Sequence, residues 1–372
     1  MVVYGTRPEA IKVAPLIRAL HADPRFRVVT VTTAQHREML DQVNEVFGLE
    51  PDVDLDLMAH RQTLNGLAAR VIAALDPVYA EHAPAAVVVQ GDTTTVMAAG
   101  IAAFNREIPV VHLEAGLRSG DLWSPFPEEA NRKLVSQIAS LHLAPTAVSK
   151  SNLLHDGVDE DTIVVTGNTV VDALQWAVEQ PASFSDPALD VLVESERPML
   201  LLTTHRRENL GPNMENIGAA IRRIATSYPE LLVVWPAHKN PRVRETIRPY
   251  IDDLENVIAI EPVGYGEFSH LIARARIVLT DSGGIQEEAP SLGKPVLVLR
   301  ENTERPEAVD AGTVKLIGTD EERIVNEVRQ LMDDTEAYAA MANAVNPYGD
   351  GHASARGADA IGRLLVGSVA SP

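Results

Sequence analysis

At 372 residues the chain exceeds one ordinary hydrophobic core, so two domains are the starting expectation. It is 45% apolar and 23% charged, as globular proteins are, and no apolar run approaches the roughly 18 residues of a membrane span. A formal net charge of −20 argues against a basic nucleic-acid-binding face and makes any Arg, Lys or His cluster conspicuous, and the absence of cysteine excludes disulfides, thiolate metal sites and a thiol nucleophile. The start shows no basic segment followed by an apolar stretch, so no signal peptide is expected, and a cysteine-free chain fits the cytoplasm.

The first apolar run, MVVYG, is short against the roughly 5–6 residues of a typical strand. Either the natural start lies a few residues upstream or the strand is trimmed. Further β-branched runs follow: RVVTVTT (27–33), AAVVVQ (85–90), IPVVHLE (108–114), LHLAP (141–145) and TIVVTG (162–167). Amphipathic stretches such as AIKVAPLIRALHAD and TTVMAAGIAAFNR separate them, and the alternation predicts βαβ units on a parallel sheet. The cycle repeats with PMLLLTTH (198–205), LLVVWPAH (231–238), VIAIE (257–261), RIVLTDS (276–282) and KPVLVLR (294–300). The break falls near 168–197, where EQPASFSDPALD reads as a linker plus a short helix, and HASARGADAIGRLLVG (352–367) reads as a last helix. Two doubly wound α/β domains are therefore expected, 1–168 and 169–351, with helix 352–367 added to the first.

In such sheets ligands bind at the carboxyl ends of the strands, so the residues just after each run matter most. In GTRPEAIK (5–12), Gly5 allows a turn, Pro8 fits a first helical position and Glu9 suits the positive end of the helix dipole. Arg7 and Lys12 then sit near a helix N-terminus, where phosphate is stabilised, although solvated charges at an ordinary helix start look the same. Asp92 follows a buried strand in VVVQGDTTT and suits either chemistry or an N-cap. His112 and Glu114 share a face at the end of another strand, where a carboxylate needs a partner or a shifted pKa. A metal held by Asp92, His112 and Glu114 has no supporting ligand spacing. In SPFPEEANRKL, Pro127 opens a helix, Glu128 and Glu129 fill its first turn, and Glu128 and Arg132 share a face at i, i+4, which dipole stabilisation alone explains.

In the second half, His205, Arg206 and Arg207 in a row at a strand end suggest an anion site, and His238 and Lys239 follow the next strand. The most specific stretch is TDSGGIQEEAPSLGKPVLVLRENTERPEA (280–308). Ser282, Gly283 and Gly284 can turn backbone N–H groups to a diphosphate at a helix start, and Glu288 can reach ribose hydroxyls.

GTRPEAIK, QHREMLDQV, QGDTTT, HLEAGLRSGDLWSPFPEEANR, GNTVVDAL, HRREN, DSGGIQEEAPSLGKPVLVLRENTERPEA and AGTVKLIG together resemble the bacterial non-hydrolysing UDP-N-acetylglucosamine 2-epimerases, in order along nearly the whole chain. The resemblance implies a GT-B architecture, two Rossmann-like domains facing a central cleft that holds the nucleotide sugar, with the last helix returning to the first domain. It implies reversible epimerisation at C2 by anti elimination of UDP and re-addition through a 2-acetamidoglucal, with no metal or redox cofactor. Acid/base chemistry falls to Asp92, Glu114, Glu128 and His205, as a set without assignment to steps. Arg7, Lys12, Arg132, His205, Ser282, Gly283, Glu288 and Arg305 match residues that hold phosphates, ribose or sugar. Gln35, Arg61, Arg206 and His238 match an activating second UDP-N-acetylglucosamine site. Glu38 stands where some members have Gln, a departure at that site. A homodimer is also implied. Three alternatives remain: a hydrolysing 2-epimerase, a GT-B glycosyltransferase that needs an acceptor, and a non-catalytic nucleotide-sugar-binding regulator.

Overall fold

The structure, a computed structural model, describes residues 1–34, 37–57, 62–182 and 184–369. The chain divides into two compact units, one formed by Met1–Ala173 with Tyr348–Pro372 and the other by Leu174–Pro347. Each is a parallel sheet with helices between its strands.

The first sheet contains β1 (Val2–Tyr4), β2 (Thr30–Thr32), β3 (Val53–Asp54), β4 (Val87–Gln90), β5 (Val110–Leu113), β6 (Leu141–Ala144) and β7 (Ile163–Val165), in the order β3-β2-β1-β4-β5-β6-β7. The second contains β8 (Met199–Thr203), β9 (Leu232–Pro236), β10 (Val257–Ile260), β11 (Ile277–Thr280), β12 (Val296–Val298) and β13 (Val314–Leu316), in the order β10-β9-β8-β11-β12-β13. Both orders reverse direction after the third strand, between β1 and β4 and between β8 and β11. In a doubly wound sheet that reversal leaves a crevice at the carboxyl ends of the strands.

The central strands are continuous apolar runs because both faces are covered. Every residue of VVVQ in β4 and IVLT in β11 is buried. Helix Pro212–Ser227 shows the complementary helical pattern, burying Met214, Ile217, Gly218, Ile221, Ile224 and Ala225 along one stripe. Each run seen in the sequence contains a strand, trimmed by a residue or more at its ends. β3, only two residues and not fully buried, carried no readable signal.

The last helix, Ala353–Val369, lies against helix Arg7–Ala22 in the first unit. Its N-terminus is capped by Asp172, which accepts from the Ser354 amide at 2.8 Å, the Ala353 amide at 3.2 Å and the Ser354 hydroxyl at 2.5 Å. A buried carboxylate thus satisfies amide donors that an unpaired helix end would leave orphaned.

Gly5 serves the fold differently from expectation. Its backbone is not left-handed; instead a Cβ there would lie 2.0 Å from Thr33 Oγ1. The turn after β1 needs glycine because the neighbouring loop comes too close for a side chain.

Candidate functional site

In the first unit, the chain leaving β1 turns at Gly5 and starts helix Arg7–Ala22 with Thr6 as N-cap. Glu9 closes a capping box, its Oε2 accepting from the Gly5 amide at 2.5 Å and the Thr6 amide at 3.2 Å. Oε1 accepts from the Thr93 hydroxyl at 2.5 Å, which ties the turn after β1 to the loop after β4. Burial raises the Glu9 carboxyl to about 7, against the hydrogen bonds that favour its charge.

Lys12 extends from that helix to form an ion pair with Glu114. The other carboxylate oxygen of Glu114 accepts from Gln90 Nε2 at 2.6 Å, and Asn168 Nδ2 donates to Oε1 at 2.9 Å. Glu114 is 9% exposed and sits just past β5 at φ +64°, a left-handed conformation uncommon for a glutamate. A non-glycine residue held there costs energy that the surrounding contacts must offset, and such residues cluster at functional sites.

The loop Gln90–Thr93 is held at every residue. Besides Gln90 and Thr93, the Gly91 carbonyl accepts from His112 Nε2 at 2.7 Å and the Asp92 carbonyl from Asn131 Nδ2 at 2.8 Å. His112 is fully buried, and burial pushes its pKa down to about 4, so it is a neutral donor that supports the loop. The Asp92 carboxylate pairs with Arg132, 2.8 Å to Nε and 2.7 Å to the terminal nitrogen. Asp92 is not the helix cap; Thr93 is, accepting from the Val96 amide.

Arg132 also donates to Glu129 Oε2 at 2.9 Å, and Glu129 in turn accepts from the Ser119 and Gly120 amides at 3.0 and 3.3 Å. Glu128 and Arg132 share a helix face without a contact: Asp92 from the loop after β4 and Glu129 on the same helix take the guanidinium. Among the described residues neither Glu128 nor Arg7 has a hydrogen-bond or ion-pair partner, and both are half-buried. For Arg7, in so acidic a chain, that leaves a guanidinium available to an anion.

In the second unit, Asp281 follows β11 and is completely buried. It accepts from the His205 and Arg206 amides, each at 2.9 Å, from Thr204 Oγ1 at 3.0 Å, and from Asn209 Nδ2 at 3.1 Å. His205 Nδ1 lies 3.1 Å from its carboxylate, and the His205 ring stacks on His238 with centroids 5.5 Å apart. Arg206 turns its Nε to the Asp281 carbonyl at 3.2 Å.

The DSGG turn departs from expectation in one detail. The Ser282 amide is already used, donating to Thr280 Oγ1 at 2.9 Å. The Gly283 and Gly284 amides have no acceptor among the described residues. The Arg305 guanidinium lies against Gly283, so that a Cβ there would sit 2.5 Å from Nη1 and displace it. Arg305 pairs with Glu287, and Glu288, 8% exposed, accepts from the Tyr265 hydroxyl at 3.2 Å. Gln35 and Arg61 lie outside the described residues.

Thus Lys12, Asp92, Glu114 and Arg132 gather at the strand ends of the first unit, with Arg7 at the start of the helix that carries Lys12. His205, Arg206, His238, Ser282, Gly283, Gly284 and Glu288 lie at strand ends and on the DSGG helix of the second, and Arg305 precedes helix Pro306–Asp310. Two cavities of about 280 and 430 Å³ lie elsewhere in the first unit, one of them at the opposite end of β1 and β4 beside Met1 and Ala86. Sequence reading passed over Gln90, Asn168 and Asp281. A polar residue ending a buried strand run was the available signal for Gln90, and the acidic residue before Ser-Gly-Gly was the signal for Asp281.

Two doubly wound parallel sheets, each with charged side chains concentrated where its strand order reverses, define a two-domain α/β protein of the GT-B type. The chain belongs to the UDP-N-acetylglucosamine 2-epimerase family, whose model matches residues 18–362. It is 50% identical over 367 residues to the UDP-N-acetylglucosamine 2-epimerase of Escherichia coli (strain K12), covering 97% of each chain. The Neisseria meningitidis UDP-GlcNAc 2-epimerase bound to UDP-GlcNAc superposes with a TM-score of 0.83 at 46% identity, covering 99% of this chain and 98% of that one. The S. aureus MnaA–UDP co-structure gives 0.86 at 43% identity, covering 100% and 98%. The chain is accordingly an enzyme, an isomerase by its family's activity. No described helix is long and apolar enough to cross a membrane.

Proposed function

We propose that the chain interconverts UDP-N-acetylglucosamine and UDP-N-acetylmannosamine without hydrolysis. The observation that carries this reading is Glu114: a buried carboxylate in a left-handed backbone, paired with Lys12 and bonded by Gln90 and Asn168, on the strand next to Asp92–Arg132. A protein base takes the C2 proton as the C1–oxygen bond to UDP breaks. The C2–H electrons become the C1=C2 double bond of a 2-acetamidoglucal, and UDP carries the bonding pair away. UDP then re-adds at C1 while C2 is protonated on the opposite face. The sequence of steps is redox-neutral and balances with two proton-transfer groups.

In this reading the first unit supplies the proton chemistry through Asp92, Glu114 and Glu128, with Arg132 paired to Asp92 and Lys12 to the buried Glu114. The second unit grips UDP. Gly283 and Gly284 amides, the Ser282 hydroxyl and Arg305 face the diphosphate and Glu288 the ribose, while His205 joins the acid/base set as a further proton acceptor. Arg7 joins the phosphate contacts. We assign Arg206 and His238 to an activating second nucleotide sugar, and a symmetric dimer to the working enzyme. The relative whose structure holds UDP-GlcNAc supports the choice of substrate.

Incubation with UDP-N-acetylglucosamine alone, followed by proton NMR of the anomeric region, tests the proposal. A mixture of UDP-gluco and UDP-manno sugars is expected. Free N-acetylmannosamine would identify a hydrolysing enzyme, and no turnover without an acceptor would point to a glycosyltransferase or a binding protein.

A further inference from the structure

Resting on that reading of His205, we propose that Asp281 and the Asn240 amide lock the stacked pair His205 and His238 in opposite tautomers: His205 presents Nε2 as a proton acceptor and His238 presents Nε2–H as a donor. Asp281 is thereby a positioning residue for His205.

The hydrogen-bond network dictates this. Asp281 is fully buried and is surrounded by donors only: two backbone amides, the Thr204 hydroxyl, the Asn209 amide and the His205 ring. Burial alone would raise its pKa, but the hydrogen bonds from His205 and the Arg206 amide outweigh it and hold the group below the usual carboxylate range. An ionised carboxylate has no proton to give. The 3.1 Å contact therefore requires a proton on His205 Nδ1, which leaves the lone pair on Nε2.

His238 shows the opposite arrangement. The Asn240 amide donates to its Nδ1 at 3.1 Å, so that nitrogen carries the lone pair and Nε2 the proton. The loop is held in place by Arg244, which donates to the His238 carbonyl at 3.0 Å and the Ala237 carbonyl at 2.8 Å while paired with Glu261. Desolvation first, then His205 and Arg244, lower the His238 pKa, against the pull of Asp281. A charge on His238 would also lie against His205 in a stack whose ring planes differ by 24°. One ring therefore turns an Nε2 lone pair outward, with its Nδ1–H held against the Asp281 carboxylate. The other presents Nε2–H as a fixed donor for a ligand oxygen.

Long-range proton–nitrogen NMR correlation on ¹⁵N-histidine-labelled protein reads both tautomers directly, with signals assigned from His205→Gln and His238→Gln. The expected result is Nδ1–H for His205 and Nε2–H for His238. Asp281→Asn should abolish the His205 preference and lower turnover by about 10²–10⁴-fold, by analogy with removing the carboxylate behind a catalytic histidine, with His238 unchanged. An Nε2–H form of His205 or an Nδ1–H form of His238 in the unmodified protein would overturn the proposal, whether or not any variant folds. So would an Asp281→Asn protein that keeps both the tautomer and full turnover. Absence of epimerisation by unmodified protein with the expected tautomers would instead refute the functional reading.

Discussion

The switch points of the two sheets each bury a carboxylate, and they hold it by different means. Glu114 in the first unit is met by side chains, those of Lys12, Gln90 and Asn168. Asp281 in the second is met by the amides of His205 and Arg206 before any side chain. Side-chain donors can swing to a ligand and release the carboxylate for proton transfer, whereas backbone amides cannot without unfolding the turn. The same division sorts other acids. Asp92 is paired with the side chain of Arg132, while Glu9, Glu129 and Asp172 each accept from backbone amides. In the proposed function Asp92 and Glu114, of the first kind, carry the chemistry, and the second kind is scaffolding.

The largest expected effect tests the first kind. Glu114→Gln keeps the side chain's size and removes the proposed base; exchange of solvent deuterium into C2 should fall by about 10²–10⁴-fold while UDP affinity measured by calorimetry is largely kept. Full exchange in this variant would break the division at its main example. Arg7→Ala comes next. Losing a charged donor to phosphate should weaken nucleotide-sugar binding by about 1.5–3 kcal/mol, roughly ten- to a hundredfold. Unchanged affinity would remove Arg7 from the phosphate contacts.

Glu9 sharpens the comparison through pH. Its folded-state pKa of about 7 stands above the ordinary value of 4.5, so the folded protein holds a proton that the unfolded chain has released. The stability contributed by that proton is complete below 4.5 and is lost as pH rises through about 7. Denaturant unfolding should show this slope in the native protein and lose it in Glu9→Gln. An identical slope in both would mean that Glu9 ionises normally. Asp172→Ala should have the smallest effect, about 1–2 kcal/mol of stability from the lost cap, seen as earlier hydrogen exchange in the last helix. Loss of turnover with an intact fold would place this acid on the wrong side of the division.

Much of this was legible in the sequence, and for identifiable reasons. Strand runs showed because parallel strands covered on both faces are apolar up to their last residue, as in VVVQ and IVLT. β13 hid inside AGTVKLIG because Lys315 interrupts it and only Val314 is fully buried. Asp92, Glu114 and His205 stood out as polar residues ending buried runs. What sequence could not separate was one carboxylate from another. Glu128 and Glu129 look equivalent in PEEANR, yet Glu129 is buried on two amides and Arg132 while Glu128 is left open. Spacing states which side chains share a face, but the partner comes from another element, as Asp92 does for Arg132. The Ser282 amide shows the same limit, since the Thr280 hydroxyl two residues away had already taken it.

The central claim is that carboxylates held by side chains move a proton at C2 while UDP leaves and returns. Epimerisation of UDP-N-acetylglucosamine in deuterium oxide tests it most directly, by mass and NMR analysis of both sugars at early times. The account predicts UDP-N-acetylmannosamine carrying one deuterium at C2. Product formed with the original C2 hydrogen retained would contradict it.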